Sequence, residues 1–331
     1  LQRISSPCRN KAGAGQQFSG PRQYFCQSFC KVFKMNVIKF PNISTSSSFL
    51  AIPEELDYHV KSAPALFEPI PGAGVVDGLG FQNFRTDTEK ALGMVKERYQ
   101  IVQNADLFDA LTSALEDAAP ARALDGNQIK PSISYGGAQA FADISFPSLT
   151  EDLIQARGNA TALTFRLLLW NSFDGSSPVR LAAGAIDGFC SNGMIFGSYD
   201  LFGKRHTKGF SQVELEGFVG NSFVLFQDKI TELRRETFAP IELKQAEEFL
   251  KKNFSERRAA QLLERFAIEA QGRGATVWAL RSALTFYASH NSSQFSVRNT
   301  GQDSAAAVLY GRENEIASLF SSRDWRELLA A

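Results

Sequence analysis

Between Phe141 and Ala185 apolar positions alternate with polar ones at a period of two. In TALTFRLLLW, Leu163, Phe165, Leu167 and Leu169 share one face while Thr164 and Arg166 lie opposite, as in a strand covered mainly on one side. SPVRLAAGA repeats the pattern with Val179, Leu181, Ala183 and Ala185. The intervening Asp174-Gly175 supplies a turn whose positive φ values Gly, Asn and Asp adopt at low cost, so the two runs predict a β-hairpin. FADISF adds a strand in which Ala142, Ile144 and Phe146 oppose Asp143 and Ser145. Upstream, FQNFRTD (81–87) and ALGMVKERYQIV (91–102) flank Thr88, Glu89 and Lys90 and predict a second hairpin.

Elsewhere the period is helical. Asn104 is placed to cap a helix through Leu115, with Leu107, Phe108, Leu111 and Leu115 on one stripe. Ser255, followed by Glu256, is a second N-cap, for a helix whose Ala259, Leu262, Leu263, Phe266 and Ala270 recur at i, i+3, i+4, i+7 and i+11. TVWALRSALTFYASH (276–290) carries two stripes. Val277, Leu280, Leu284 and Tyr287 or Ala288 form a core stripe. Trp278, Arg281, Thr285 and Ser289 form a more polar one, expected to cover the sheet, with the Trp N–H and Tyr O–H on backbone partners, the alternative being that it faces a ligand. A further helical segment runs from about Ser304 into the amphipathic IASLFSSRDWRELLAA. Strands first and helices later predict an α+β fold, a twisted, mainly antiparallel sheet with C-terminal helices packed on one face.

Residues 1–34 lack a Met, hold Cys8, Cys26 and Cys30, and keep no sustained period. They are expected to be a non-native upstream extension, with Met35 as the natural start; the alternative is a genuine flexible N-terminal tail. Residues 35–80, rich in Ser, Pro and Gly, read as a flexible arm, 81–295 as the core domain and 296–331 as a C-terminal helical tail. With Met35 as the start, Cys190 is the only thiol, which suits a reducing cytoplasm. Composition supports a substantial core: 44% of the 331 residues are apolar, 28 of them Phe. The 35 basic and 35 acidic residues balance, so any polyanion site must be a local patch. No uninterrupted apolar run approaches the ~18 residues of a membrane span, and no membrane partner is expected.

Several familiar chemistries are missing. Gly72-Ala-Gly74-Val-Val-Asp77 fails the dinucleotide fingerprint at its last position, and GxxxxGK[ST], HExxH and GxSxG are absent. Cys26 and Cys30 have no second Cys pair to complete a zinc ribbon. No cofactor or metal is expected. The three histidines are His59, His206 and His290. A metal-dependent or Cys/His hydrolase would have to use His206, His290 and Cys190 or Asp174. Against that, His290 reads as a helix-terminal cation on the C-terminal dipole, and Cys190 as a small buried hydrophobe.

One patch suits nucleic acid. LFGKRHTKGF sets Lys204, Arg205, His206 and Lys208 between Phe202 and Phe210, with no acid between Asp200 and Glu214. Cations that pair with phosphate, flanked by rings on which bases stack, are the ingredients of a single-strand site. The competing reading is a solvated turn whose two Phe anchor its ends in the core. Homo-oligomerisation would multiply the patch into a ring.

Finally, Tyr99, Val102 and Asn104 in YQIVQN, Arg180 onward to Cys190 and Asn192, His206-Thr207, and Thr276, Trp278, Ala283, Thr285, Tyr287 and His290 together resemble one family. It is the phage/plasmid-like proteins, also known as domain of unknown function nine-thirty-two. The resemblance spans about 81–290, some two-thirds of the chain. Ser282 stands where relatives usually have an amide, and Ser191 and Gly193 replace a more typical Gln and Thr. The resemblance implies a phage- or plasmid-borne accessory protein of unassigned activity. Together with the basic patch it suggests a non-enzymatic role with single-stranded nucleic acid in replication or recombination, in the host-cell cytoplasm. The alternatives are the hydrolase and a host-interaction protein.

Overall fold

The alternation around Phe165 is realised as the centre of a six-stranded antiparallel sheet. The computed structural model describes residues 50–67, 76–119, 124–189, 191–196, 202–207, 212–290, 292, 295–296 and 304–330. The expected extension 1–34 and the proposed start at Met35 lie outside the described residues, and every described element belongs to the unit Met35–Ala331. The fold is α+β, as the order of strand and helix patterns predicts.

Strands β1 (Val60–Phe67), β2 (Val76–Arg85) and β3 (Ala91–Val95) form a three-stranded antiparallel sheet in that order. The second sheet contains β4 (Gln128–Ser134), β5 (Gln139–Ile154), β6 (Ala160–Ser172), β7 (Val179–Asp187) and β8 (Asn192–Ile195) in order, with β9 (Phe202–Lys204) also paired to β7. Both predicted hairpins are present, as β2–β3 and β6–β7. Register sets Ile144 beside Leu167 and Leu167 beside Ala183. The small residues of β7 leave room for the rings of helix α2 (Gln212–Glu236). There Phe165 meets Phe223 at 5.1 Å and Phe226 at 5.3 Å. Helix α1 (Asn104–Ala118) completes this core through Leu107, Phe108, Leu111 and Leu115.

The opposite face of the sheet is also covered, which corrects the one-sided reading of β6. Helix α6 (Ala305–Phe320) lies there, Tyr310 stacking on Phe141 at 4.5 Å and Ala317 packing with Leu168, Ala182 and Ile195. Arg166 is consequently 1% exposed. Its guanidinium is held by Asp143 at 2.9 Å and by Glu313 of α6. Strand β8 lies directly against it: a Cβ on Gly193 would come within 2.5 Å of Arg166 Nη1.

Helices α3 (Leu243–Asn253), α4 (Glu256–Arg273), α5 (Val277–Ser289) and α7 (Arg323–Ala330) build a second core around Leu262, Phe266, Leu280, Leu284 and Trp325. Trp278 points out of this core into that of the sheet. The polar stripe of α5 does cover the sheet edge: Asn192 Nδ2 donates to the Ser282 carbonyl at 3.0 Å, and Gly193 N donates to Ser289 Oγ at 3.0 Å. The Trp278 indole N–H, however, has no partner among the described residues.

Two local expectations change. Part of the stretch read as a flexible arm is ordered structure, a 3-10 turn at Glu54–Leu56 followed by β1 and the start of β2. Leu56, Tyr58 and Val60 are buried, and the Gln103 side chain bonds both the N–H and the carbonyl of Val60 at 3.0 and 2.8 Å. Asn104 opens α1 without capping it. Its amide donates to the Leu56 carbonyl at 3.0 Å and accepts from Asn171 at 2.9 Å, joining helix, arm and sheet.

Candidate functional site

The basic run is divided by its backbone into residues with different surroundings. Lys204 ends β9, where strand pairing with Val179 directs it to Glu214 at 2.6 Å. Both side chains are substantially solvated, and such pairs contribute about 0–1 kcal/mol, so a phosphate can replace the carboxylate. Arg205 and Thr207 are exposed. Phe202 lies in β9, while its side chain, Lys208 and Phe210 lie outside the described residues.

His206 does not serve as a phosphate-pairing cation, which corrects the reading of the run as uniformly basic. It is 4% exposed and stacks on Tyr99 at 4.6 Å with a 17° interplanar angle. Its Nδ1 faces the Gln100 carbonyl at 3.2 Å; a carbonyl only accepts, so Nδ1 carries the proton. Burial pushes the imidazole down to about 4, the Gln100 carbonyl and Asp174 opposing only in part. It is therefore neutral at pH 7. Because the folded value lies below the unfolded one, the unfolded chain binds more protons between about 4 and 6.5, and stability falls as pH drops through that window. The expected loss is roughly 1.4 kcal/mol per pH unit from this residue. Urea unfolding at pH 7 and pH 5 should show a smaller pH difference for His206→Gln than for the unsubstituted chain; an equal difference would contradict the assignment.

Tyr99 and His206 form the floor of a concavity of about 600 Å³ whose rim includes Lys96, Arg98 and Arg205. The β6–β7 turn supplies another wall. Gly175 takes φ 75°, Asp174 Oδ1 accepts from Ser176 N at 2.8 Å, and the Ser172 hydroxyl donates to the Ser177 carbonyl at 2.7 Å. Tyr99 is anchored to the same turn by its hydroxyl, which donates to the Ser172 carbonyl at 2.6 Å. The lining thus holds three fixed cations and one carboxylate, Asp174. No ion pair engages Lys96, Arg98 or Arg205 among the described residues. Lys96 and Arg98 escaped the sequence reading because Glu97 between them dilutes the local charge, and only the fold brings them to Arg205.

The other singled-out residues lie elsewhere. His290 stacks on Phe286 at 4.5 Å at the end of α5. Burial pushes this imidazole below its ordinary value, with Arg265 adding to it and the Phe286 backbone and Glu269 opposing, which disfavours the helix-terminal cation expected. Its charged neighbours are Arg265, Glu269 and Lys130, with neither His206 nor Asp174 among them. Cys190 lies outside the described residues, and no group of metal-ligating side chains occurs among the described ones. Arg180 lies over the Trp170 ring at 5.2 Å. Thr276 caps α5, accepting from Ala279 N at 3.4 Å. Thr285 accepts from Asn192 at 3.3 Å, and Tyr287 lies between Arg258 and Arg312 at 4.6 and 4.8 Å. These positions tie elements together, whereas Tyr99, His206 and Thr207 line the concavity. No described helix is long and apolar enough to cross a membrane.

A family model described as Domain of unknown function (DUF932) matches residues 91–310, a span that includes every motif residue from Tyr99 to His290. No curated protein and no solved structure matches the chain.

Proposed function

The chain belongs to the family described as Domain of unknown function (DUF932), and from that premise we propose that it is a non-enzymatic protein that associates with single-stranded nucleic acid through the concavity at Arg205. The observation that carries this reading is the convergence of Lys96, Arg98 and Arg205 on one hollow beside the half-buried ring of Tyr99. Fixed cations that no carboxylate engages among the described residues favour phosphate, and a ring at the same place favours an unpaired base. A duplex keeps its bases stacked and offers the ring none. Of the residues the hydrolase alternative would use, His206 and Asp174 line this concavity and His290 does not, while Cys190 lies outside the described residues; the three cations gathered there carry the nucleic-acid reading instead. In the proposed role, binding serves replication or recombination of a phage or plasmid in the host-cell cytoplasm, and oligomerisation repeats the site.

Arg205→Ala tests the proposal. A hydrogen bond to a charged group contributes about 1.5–3 kcal/mol, so fluorescence anisotropy of labelled single-stranded DNA should show affinity at least about tenfold lower. Lys204→Ala should cost less, since that cation already has Glu214. Equal affinity of Arg205→Ala and the unsubstituted chain would remove the proposal.

A further inference from the structure

We infer that the concavity receives a nucleotide phosphomonoester, carried by the terminus of a single strand or by a free nucleotide, in preference to the internal phosphodiesters of a strand. The inference rests on the nucleic-acid reading above and specifies which part of the ligand the site takes.

Charge supports it first. Among the described residues that line the concavity, from which Glu97 is absent, Lys96, Arg98 and Arg205 against Asp174 leave a balance of two positive charges. A phosphomonoester carries about −1.5 to −2 at pH 7, which matches that balance, whereas each internal phosphodiester carries a single negative charge. Size agrees. About 600 Å³ falls within the roughly 300–1,000 Å³ of small-ligand pockets, enough for one nucleotide.

The surroundings also oppose a track. Across β9 the next hollow is lined by Glu214 and Asp228 against Lys204 alone, and Lys204 is already paired with Glu214. A strand continuing in that direction would place its phosphates against carboxylates, so among the described residues the favourable field does not extend from the first hollow into the next. Within it, the polar and apolar parts suit a nucleotide. The Ser176 hydroxyl accepts from Gln139 Nε2 at 2.9 Å, which leaves its own proton to donate to phosphate. Met94, 56% exposed, and Tyr99 offer an apolar wall for the base.

The test uses the full chain and internally labelled single-stranded DNA of about 12 nucleotides. The same sequence is compared with a 5′-phosphate, with a 3′-phosphate and with hydroxyls at both ends, beside a circular single strand. One phosphorylated form should bind about tenfold more tightly than the hydroxyl-ended and circular strands. That preference should vanish in Arg205→Ala, an exposed position where folding is checked by circular dichroism. Competition by nucleoside monophosphate at comparable affinity would identify a free nucleotide as the natural source; failure to compete would identify the strand terminus. Equal binding of phosphorylated, hydroxyl-ended and circular strands would overturn the inference and leave the nucleic-acid reading intact. Binding of none of these probes, nor of the monophosphate, would overturn both.

Discussion

Arg166→Ala should lower the free energy of unfolding by about 3–5 kcal/mol. Arg166 is among the largest fully buried side chains and bonds Asp143 of β5 and Glu313 of α6, with its Nε directed at the Met194 carbonyl at 3.4 Å. Truncation leaves the buried Glu313 carboxylate and the partly buried Asp143 carboxylate without their cation and opens a cavity beneath β8. Burial already pushes the Glu313 carboxyl up although Arg166 pulls it down; without the guanidinium it moves further and takes up a proton at the expense of α6 docking. Replacing all three groups together with apolar residues of similar volume should recover much of the loss, because the penalty lies in the uncompensated charges. Urea denaturation reads both outcomes. A change below about 1 kcal/mol for Arg166→Ala would contradict the burial of the network.

Trp278→Ala should cost a similar amount, about 3–5 kcal/mol. The side chain is 0% exposed and belongs to the sheet core, while its neighbours Val277, Ala279 and Leu280 pack in the helical core. One residue therefore joins the two hydrophobic clusters. Its ring also lies 5.6 Å from the guanidinium of Arg273, which bonds Asp187 of β7 at 2.7 Å and Glu269 of α4 at 2.9 Å. Truncation removes apolar contact on one side of a fully buried charge network. Trp278→Phe, which keeps part of the ring volume, should lose distinctly less. Equal losses for Phe and Ala would show that ring volume is not what matters at this position.

What was legible in the sequence was local periodicity. The β6–β7 hairpin, the β2–β3 hairpin and the stripes of α1 and α4 depend on neighbours a few residues away and are present, although the return run read over 91–102 is strand only as far as Val95. Arg166 was misread because a polar residue at alternate positions normally faces water, and the helix that buries it contributes Glu313 from 147 positions later. Strand β1 was missed because Pro64 and a Ser/Pro/Gly-rich context hide a short alternation. The site was half legible. Arg205 stood out in a basic run, but a sequence does not report that the adjacent His206 turns inward to stack on Tyr99, nor that Lys96 and Arg98 meet Arg205. Family resemblance singled out both Tyr99 and His206 without revealing that they touch.

The central claim is that phosphate is bound by the cations around the Tyr99–His206 floor. The most direct measurement is the salt dependence of single-stranded DNA affinity for the unsubstituted chain and for Lys96→Ala, Arg98→Ala and Arg205→Ala. Each lost phosphate contact should reduce the slope of log affinity against log salt by roughly 0.7. Slopes that stay the same in all three variants, or an affinity that does not respond to salt, would contradict it.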